Sequence, residues 1–279
     1  MTKIRLKYIL LLGMLLVGLS PLHAQHSEMA TTEIELDSLF VHLTKAESDS
    51  VRTIINDSIL TIITDMMDNV ESFNYPFERL DYFGKIYSTD HRLRIYSWCF
   101  PLAETLSFYC IIQTNDGGWQ LLQNSQPTEP KENQLVNSRN WYGALYYEAI
   151  PCKFKAKKVK GVYYVLAGWG RATGDALNQY KVLEVLELDE ENNLSFGRPV
   201  FKDEERLTRR RVFRYDAQTG MNVLYDVKAK AFYVDHLSPL KLTEDGQPLT
   251  YGVDMSVDAF KLKAKLWQYK ANVNAKNQK

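Results

Sequence analysis

The stretch VLAGWGRATGDALNQYKVLEVLEL, residues 165–188, decides the fold, because its glycines suit either a phosphate-binding loop or a β-hairpin. A dinucleotide-binding loop follows the pattern GxGxxG between a strand and a helix. Here Gly174 comes one position too late after Gly168 and Gly170. Trp169 also occupies the position where the backbone would have to approach the pyrophosphate.

The residues that follow these glycines favour the hairpin. YKVLEVLEL (180–188) has leucines and glutamates three apart, which also suits a short helix. The turn-forming DEENN (189–193) comes directly afterwards and leaves no room for the crossover helix that parallel strands need. We therefore predict two antiparallel strands, glycines that serve the reversal of the chain, and a loop that exposes Trp169.

From Pro76 onward, short runs of aromatic and β-branched residues alternate with turn residues, which is typical of strands. Residues 73–279 are therefore predicted to form a mainly β domain with an antiparallel meander. Aromatic residues that follow turns recur at gaps of 44, 33, 36 and 35 residues, and this spacing suits a small, propeller-like arrangement. A β-sandwich or an open meander is the alternative.

The segment before this domain, residues 25–72, is predicted to contain one amphipathic helix. Apolar residues recur in steps of three and four between Val51 and Val70, which places them on one side of a helix. Thr44 and Glu47 have the spacing of a capping box before it.

Residues 1–24 have the three parts of a secretory signal peptide. Lys3, Arg5 and Lys7 precede an apolar run that is too short to span a bilayer, and small Ala24 offers a cleavage position. We expect an exported protein in the periplasm, at the cell surface or outside the cell, with no transmembrane segment in the mature chain.

Composition narrows the range of partners. The chain has 34 basic and 34 acidic residues, so no strong positive field favours nucleic acid. No P-loop, HExxH or CxxC pattern occurs, so we expect neither a cofactor nor a metal. Cys99, Cys110 and Cys152 are expected to be buried thiols and not a disulfide.

Asp235 and His236 are the candidate catalytic residues, because they form an adjacent acid–histidine pair at the end of a predicted strand. A carboxylate that orients His236 would make the imidazole a general base. Successive side chains of a strand face opposite ways, however, so Asp235 is poorly placed for that role. A hydrolase could also draw on acids that only the fold brings together, such as Glu104, Asp235 and Asp254.

Trp169, Arg171 and Asp175 in the glycine-rich stretch are the candidate ligand-binding residues. Aromatic rings suit sugars because they combine apolar area with polar tips, so a glycan is one possible ligand. The aromatic candidates for such a face, all of which also suit a core, are Trp169, Tyr142, Tyr146 and Tyr147.

Several stretches together resemble an uncharacterised family of exported bacterial β-rich proteins. They are FNYPFERLDYFGKIYSTDHRLRIYSWCFP (73–101), VLAGWG (165–170), VDHLSP (234–239) and VDAFKLKAKLWQY (257–269). The resemblance implies no activity. The expected function is non-catalytic binding of a protein or glycan through loops of the β domain, and the alternative is a glycan- or ester-directed hydrolase. The sequence leaves the oligomeric state open.

Overall fold

The computed structural model describes residues 20–103, 105–156, 159–189, 191–204 and 206–273. The chain divides into two compact units, Met1–Tyr82 and Phe83–Lys279. The predicted signal peptide lies outside the described residues as far as residue 19. The prediction of a mainly β protein with antiparallel sheets and a preceding helix is confirmed.

The first unit contains two helices, where the sequence predicted one. They are α1 (Ser20–Lys45) and α2 (Asp49–Met67), and a short 3-10 helix follows at Val70–Phe73. Ser48 caps α2, because its side chain accepts a hydrogen bond from the backbone N–H of Val51. The predicted capping box is wrong, since Thr44 lies in the last turn of α1 and its hydroxyl donates to Val41.

Only part of the predicted apolar stripe of α2 is buried. Ile59, Ile63, Met66 and Met67 are buried, whereas the residues toward the start of the helix are largely exposed. Among the described helices, none is both long and apolar enough to span a membrane.

A buried carboxylate fixes the chain that follows the helices. Glu33 of α1 accepts hydrogen bonds from the hydroxyl of Tyr75 at 2.7 Å and from the backbone N–H of Arg79 at 2.7 Å. Burial, followed by the hydrogen bond to Glu33, raises the pKa of Tyr75 to about 12. The tyrosine therefore stays protonated and remains a donor to Glu33.

The described strands of the second unit form three sheets. The N-terminal sheet has the order β1-β2-β3-β4, with β1 (Gly84–Tyr87), β2 (Leu93–Leu102), β3 (Thr105–Thr114) and β4 (Trp119–Asn124). The central sheet has the order β5-β9-β8-β7-β6, with β5 (Val136–Asn137), β6 (Leu145–Ala156), β7 (Val159–Gly170), β8 (Asn178–Leu188) and β9 (Leu194–Phe196). Strand β12 (Arg210–Asp216) also pairs with β8.

The C-terminal sheet has the order β11-β10-β16-β15-β14-β13. Its strands are β10 (Phe201–Asp203), β11 (Arg206–Thr208), β13 (Val223–Asp226), β14 (Ala231–Leu242), β15 (Pro248–Lys263) and β16 (Leu266–Lys270). Strands β10 and β16 run parallel, and the other described pairs in the three sheets are antiparallel.

The central sheet is covered on both faces. Tyr164 and Leu166 of β7 pack in a core shared with the N-terminal sheet. Val165 and Ala167, which alternate with them, pack in a second core shared with the C-terminal sheet. A strand that is buried on both faces has no polar side, which explains why β7 and β8 read as nearly continuous apolar runs.

The glycine-rich stretch is a hairpin, as predicted, but its first two glycines do not form the turn. Gly168 and Gly170 lie within β7, and only Gly174, at φ +74°, has a turn conformation. A Cβ at Gly168 would lie 2.9 Å from the ring of Tyr146, and one at Gly170 would clash with the hydroxyl of Tyr180. These glycines therefore make room for two tyrosines.

All three cysteines are free; Cys110 and Cys152 are buried, as predicted, whereas Cys99 is only partly buried. Strand register explains why Cys99 and Cys110 do not meet, because Cys99 stands opposite Phe108 and Cys110 stands opposite Ser97.

Candidate functional site

A bulge between β14 and β15 positions His236. Asp235 pairs with Val257, and the next pair is Leu237 with Val253, so three residues of β15 stand opposite one residue of β14. The middle one, Met255, has a φ of 69° and is 96% exposed. Bulges re-aim side chains and often occur next to functional sites.

A carboxylate orients His236, but it comes from the neighbouring strand. Nδ1 of His236 lies 2.8 Å from Oδ2 of Asp258. Asp258 also accepts hydrogen bonds from the hydroxyl of Tyr269 at 2.7 Å and from the backbone N–H of Asn272 at 3.1 Å. With this many donors Asp258 serves as an acceptor, and Nδ1 of the imidazole carries the shared proton.

A second carboxylate faces the other nitrogen of the ring. Nε2 of His236 lies 4.0 Å from Oδ2 of Asp254. Asp254 accepts from the hydroxyls of Ser238 and Ser256, each at 2.6 Å. These hydrogen bonds lower the pKa of Asp254 to about 2. We call His236, Ser238, Asp254, Ser256, Asp258 and Tyr269 the histidine cluster.

The two carboxylates favour the charged form of the imidazole. The hydrogen bond to Asp258 is the largest cause of a raised pKa at His236, burial opposes it, and the charges of Asp258 and Asp254 add to it. The side chain of His236 is about one-third exposed. The cluster can therefore take up and release a proton at the surface.

The geometry is that of an acid–base pair without an aligned nucleophile. The hydroxyl of Ser238 donates to Asp254, and no hydrogen bond joins it to His236 among the described residues. Among all the residues that the structure describes, no group of three or more His, Cys, Asp or Glu side chains is arranged to hold a metal.

Asp235 lies in a different environment from His236. Its Oδ2 accepts from the backbone N–H of Asn222 at 2.8 Å and from the side-chain amide of Asn222 at 3.0 Å. It lines an open groove of about 540 Å³, which we call the β13 groove. The groove is lined by Asn222, Leu224, Tyr225, Asp226, Val227, Lys228, Tyr233, Asp235 and Val257.

Arg171 and Asp175, two of the candidate ligand-binding residues, mainly contact each other and nearby residues of the protein. Asp175 pairs with Arg214 at 2.9 Å and accepts from the backbone N–H of Asn178, also at 2.9 Å. Arg171 donates from Nε to the backbone carbonyl of Asp175 at 2.9 Å. The hairpin end is thus held by its own polar residues and by Arg214 of β12.

Trp169 is not exposed on a loop, contrary to the prediction. It lies in β7, is partly buried, and packs against both cores. Its Nε1 donates to the side chain of Gln179 at 2.8 Å. Because Trp169 lies in a strand between two cores, its indole has little surface left to contact a ligand.

The predicted site residues therefore lie in three separate places. Arg171 lines a cleft of about 410 Å³ together with the β2–β3 turn. Asp235 lines the β13 groove, and His236 belongs to the histidine cluster. Of the acids suggested for a hydrolase, Asp254 is near His236, whereas Glu104 lies outside the described residues.

Sequence reasoning did not find the most deeply buried charges. Glu184 of β8 and Arg210 of β12 stand opposite each other, and both side chains are 0% exposed. Glu184 accepts hydrogen bonds from the hydroxyls of Tyr142 and Tyr146, and its Oε2 lies 3.4 Å from Nε of Arg210. The tyrosines suggested for a sugar-binding face are thus core residues in at least these two cases.

Comparisons with known proteins do not assign the chain to a family. No family model, no curated protein and no solved structure matches the chain. The resemblance to exported β-rich proteins stays a prediction.

Proposed function

We propose that the chain is an exported, non-catalytic protein that binds a protein partner through the β domain, at the β13 groove. The proposal combines the predicted signal peptide with one structural observation. Leu224 and Val227 are 56% and 69% exposed, and both line an open groove that also offers Asp226, Lys228 and Asp235. Exposed apolar side chains beside charged ones are typical of a protein–protein contact surface.

A glycan fits this groove less well than a protein does. Sugar-binding faces use exposed aromatic rings, and the groove offers aliphatic Leu224, Val227 and Val257 beside its tyrosines, Tyr225 and Tyr233. The ring of Tyr225 is partly committed to packing, since it contacts Phe232 at a centroid distance of 5.0 Å.

The test uses a partner protein that co-purifies with the full chain. This partner is purified, and its equilibrium binding to the chain is measured. Leu224→Lys should weaken equilibrium binding about tenfold or more, because it places a charge at the centre of the apolar contact. Leu207→Lys is the matched control, since Leu207 is 46% exposed on β11 at the opposite edge of the same sheet. Equal affinity of the two variants would place the binding surface elsewhere, and binding of glycans on an array that Leu224→Lys abolishes would favour the glycan.

A glycan- or ester-directed hydrolase is the second candidate, and the Asp258–His236 pair is the observation that favours it. Turnover of nitrophenyl esters or glycosides should then be lost in His236→Ala and strongly reduced in Asp258→Asn. Asp235→Asn should retain activity, because Asp235 contacts Asn222 instead. Absence of turnover in the wild-type chain counts against this candidate.

A further inference from the structure

The tripeptide Lys-Ala-Lys occurs at residues 155–157, 228–230 and 263–265. The first copy begins in the last residues of β6, the second lies in the turn between β13 and β14, and the third spans the turn between β15 and β16. Nζ of Lys265 donates to the backbone carbonyl of Lys155 at 2.9 Å, and the backbone N–H of Leu262 donates to the carbonyl of Lys230 at 3.3 Å. The fold therefore brings the three copies together on one part of the surface.

This region is strongly positively charged. Its exposed lysines, which we call the lysine surface, are Lys153, Lys155, Lys228, Lys230, Lys261, Lys263 and Lys265. None of them forms an ion pair with a residue that the structure describes. Asp226, the acid just before the second copy, accepts a hydrogen bond from the backbone N–H of Ala229 at 2.8 Å. Because like charges on adjoining turns repel one another, this arrangement favours an anionic ligand.

The conformation of the two turns does not explain why they end in lysine. Lys230 and Lys265 have φ angles of 49° and 70°, in the left-handed region. Glycine and asparagine adopt this region at a lower cost than lysine does. The ammonium groups, and not the backbone, are therefore what lysine contributes at these two positions.

Exposed apolar surface lies among these lysines. Val227, directly before the second copy, is 69% exposed. A shallow hollow of about 480 Å³ is lined by Lys153, Phe154, Lys155, Gly161, Val162 and Lys265. Lysines beside exposed apolar side chains are typical of surfaces that lie on anionic membranes, where the lysines contact phosphates and the apolar groups enter the headgroup region. A soluble polyanion would offer nothing to Val227.

We propose that the lysine surface binds a membrane surface that contains anionic phospholipids. The ammonium groups of the three joined segments contact lipid phosphates, and Val227 inserts between the headgroups. This inference goes beyond the proposed function, which concerns a protein partner at the β13 groove. Since Val227 and Lys228 also line that groove, the variants that test the inference are placed at Lys155 and Lys263, outside it.

Co-sedimentation of the full chain with lipid vesicles tests the proposal. Vesicles of mixed phosphatidylcholine and phosphatidylglycerol should bind the chain more tightly than vesicles of phosphatidylcholine alone, and added salt should reduce the difference. Lys263→Gln should weaken binding to the anionic vesicles about fivefold, and Lys155→Gln with Lys263→Gln about twenty-five-fold, because each lysine near such a surface contributes similarly. Lys270→Gln is the matched control, since Lys270 is exposed at the other end of β16 and should leave the affinity unchanged.

Hydrogen exchange of the wild-type chain locates the contact. Anionic vesicles should slow exchange at the amides of residues 227–230 and 263–266 and leave that of Lys270 unchanged. Equal affinity for both kinds of vesicle, equal losses in Lys263→Gln and Lys270→Gln, or unchanged exchange in these turns would overturn the proposal. Binding of heparin without binding of vesicles would assign the surface to a soluble polyanion and would also overturn it. No protein partner is present in these measurements, so their failure is distinct from failure of the proposed function.

Discussion

Glu184 and Asp258 are both carboxylates that accept a hydrogen bond from a tyrosine and face a basic side chain, yet their surroundings differ. Glu184 is fully buried with Arg210 and two tyrosines between sheets. Asp258 is mostly buried, but its partner His236 is about one-third exposed. The first pair is closed off from any ligand, whereas the second can exchange a proton with solvent.

We infer from this difference that the Glu184–Arg210 pair mainly affects stability, whereas the histidine cluster is placed to take part in function. Arg210 lies beside Glu184 with Nε 3.4 Å from Oε2, and its Nη1 donates to the carbonyls of Lys131 and Gln134 at 2.7 Å each. An imidazole changes its charge near neutral pH, so the histidine cluster responds to conditions. Mutations at the two sites should therefore affect different quantities.

Glu184→Gln should produce the largest effect. It keeps the shape of the side chain but leaves the charge of Arg210 buried without a counter-charge, so the free energy of unfolding should fall by about 3–5 kcal/mol. Urea unfolding measures this loss.

Glu187→Gln is the matched control for that variant. Glu187 lies on the same strand and pairs with Arg198 at 2.6 Å, but both side chains are more than one-quarter exposed. Its loss should stay at or below about 1 kcal/mol. Similar losses in the two variants would show that burial does not distinguish these ion pairs.

Gly170→Ala should have the next largest effect. The new Cβ would clash with the hydroxyl of Tyr180, which donates to the carbonyl of Gly143 at 2.8 Å. Overpacking of this kind should reduce the free energy of unfolding by about 1–3 kcal/mol. Gly220→Ala, where a Cβ would meet no atom within 4 Å, should be close to neutral in the same urea experiment. A neutral Gly170→Ala would contradict the packing role of this glycine.

The sequence predicted the strands better than the roles of individual residues in them. Alternation and turn residues were sufficient to predict an antiparallel β domain. The role of Gly170 depends on Tyr180, which reaches it only when β7 and β8 pair. The role of Glu184 could not be predicted either. A glutamate in an apolar run also suits one face of a helix, and only the pairing of β8 with β12 places Arg210 opposite it.

At the histidine cluster the sequence identified one residue and not its partner. His236 was singled out for its neighbour Asp235, whereas the carboxylate that orients it is Asp258, on the adjacent strand. The alternation of side chains already argued against Asp235. What could not be predicted was the bulge, because it depends on the register between β14 and β15.

The smallest expected effect concerns the titration of His236. Asp258→Asn should lower the pKa of the imidazole, because it removes the main cause of the raised value. A raised pKa in the folded chain means that the pair stabilises the fold below the pKa of an unfolded histidine. That contribution is lost as pH rises through the folded value. NMR titration of the imidazole Cε1–H signal measures the shift.

Asp235→Asn is the control that shows which acid sets the pKa of His236: Asp235, which is next to it in the sequence, or Asp258, which contacts it in the structure. Asp235 is adjacent to His236 in the chain, but its carboxylate is held by Asn222. Removal of its charge should change the titration of His236 much less than Asp258→Asn does, since exposed charges without direct contact interact weakly. If the two variants moved the titration equally, the field of nearby acids, and not the hydrogen bond across the strands, would govern the proton on His236.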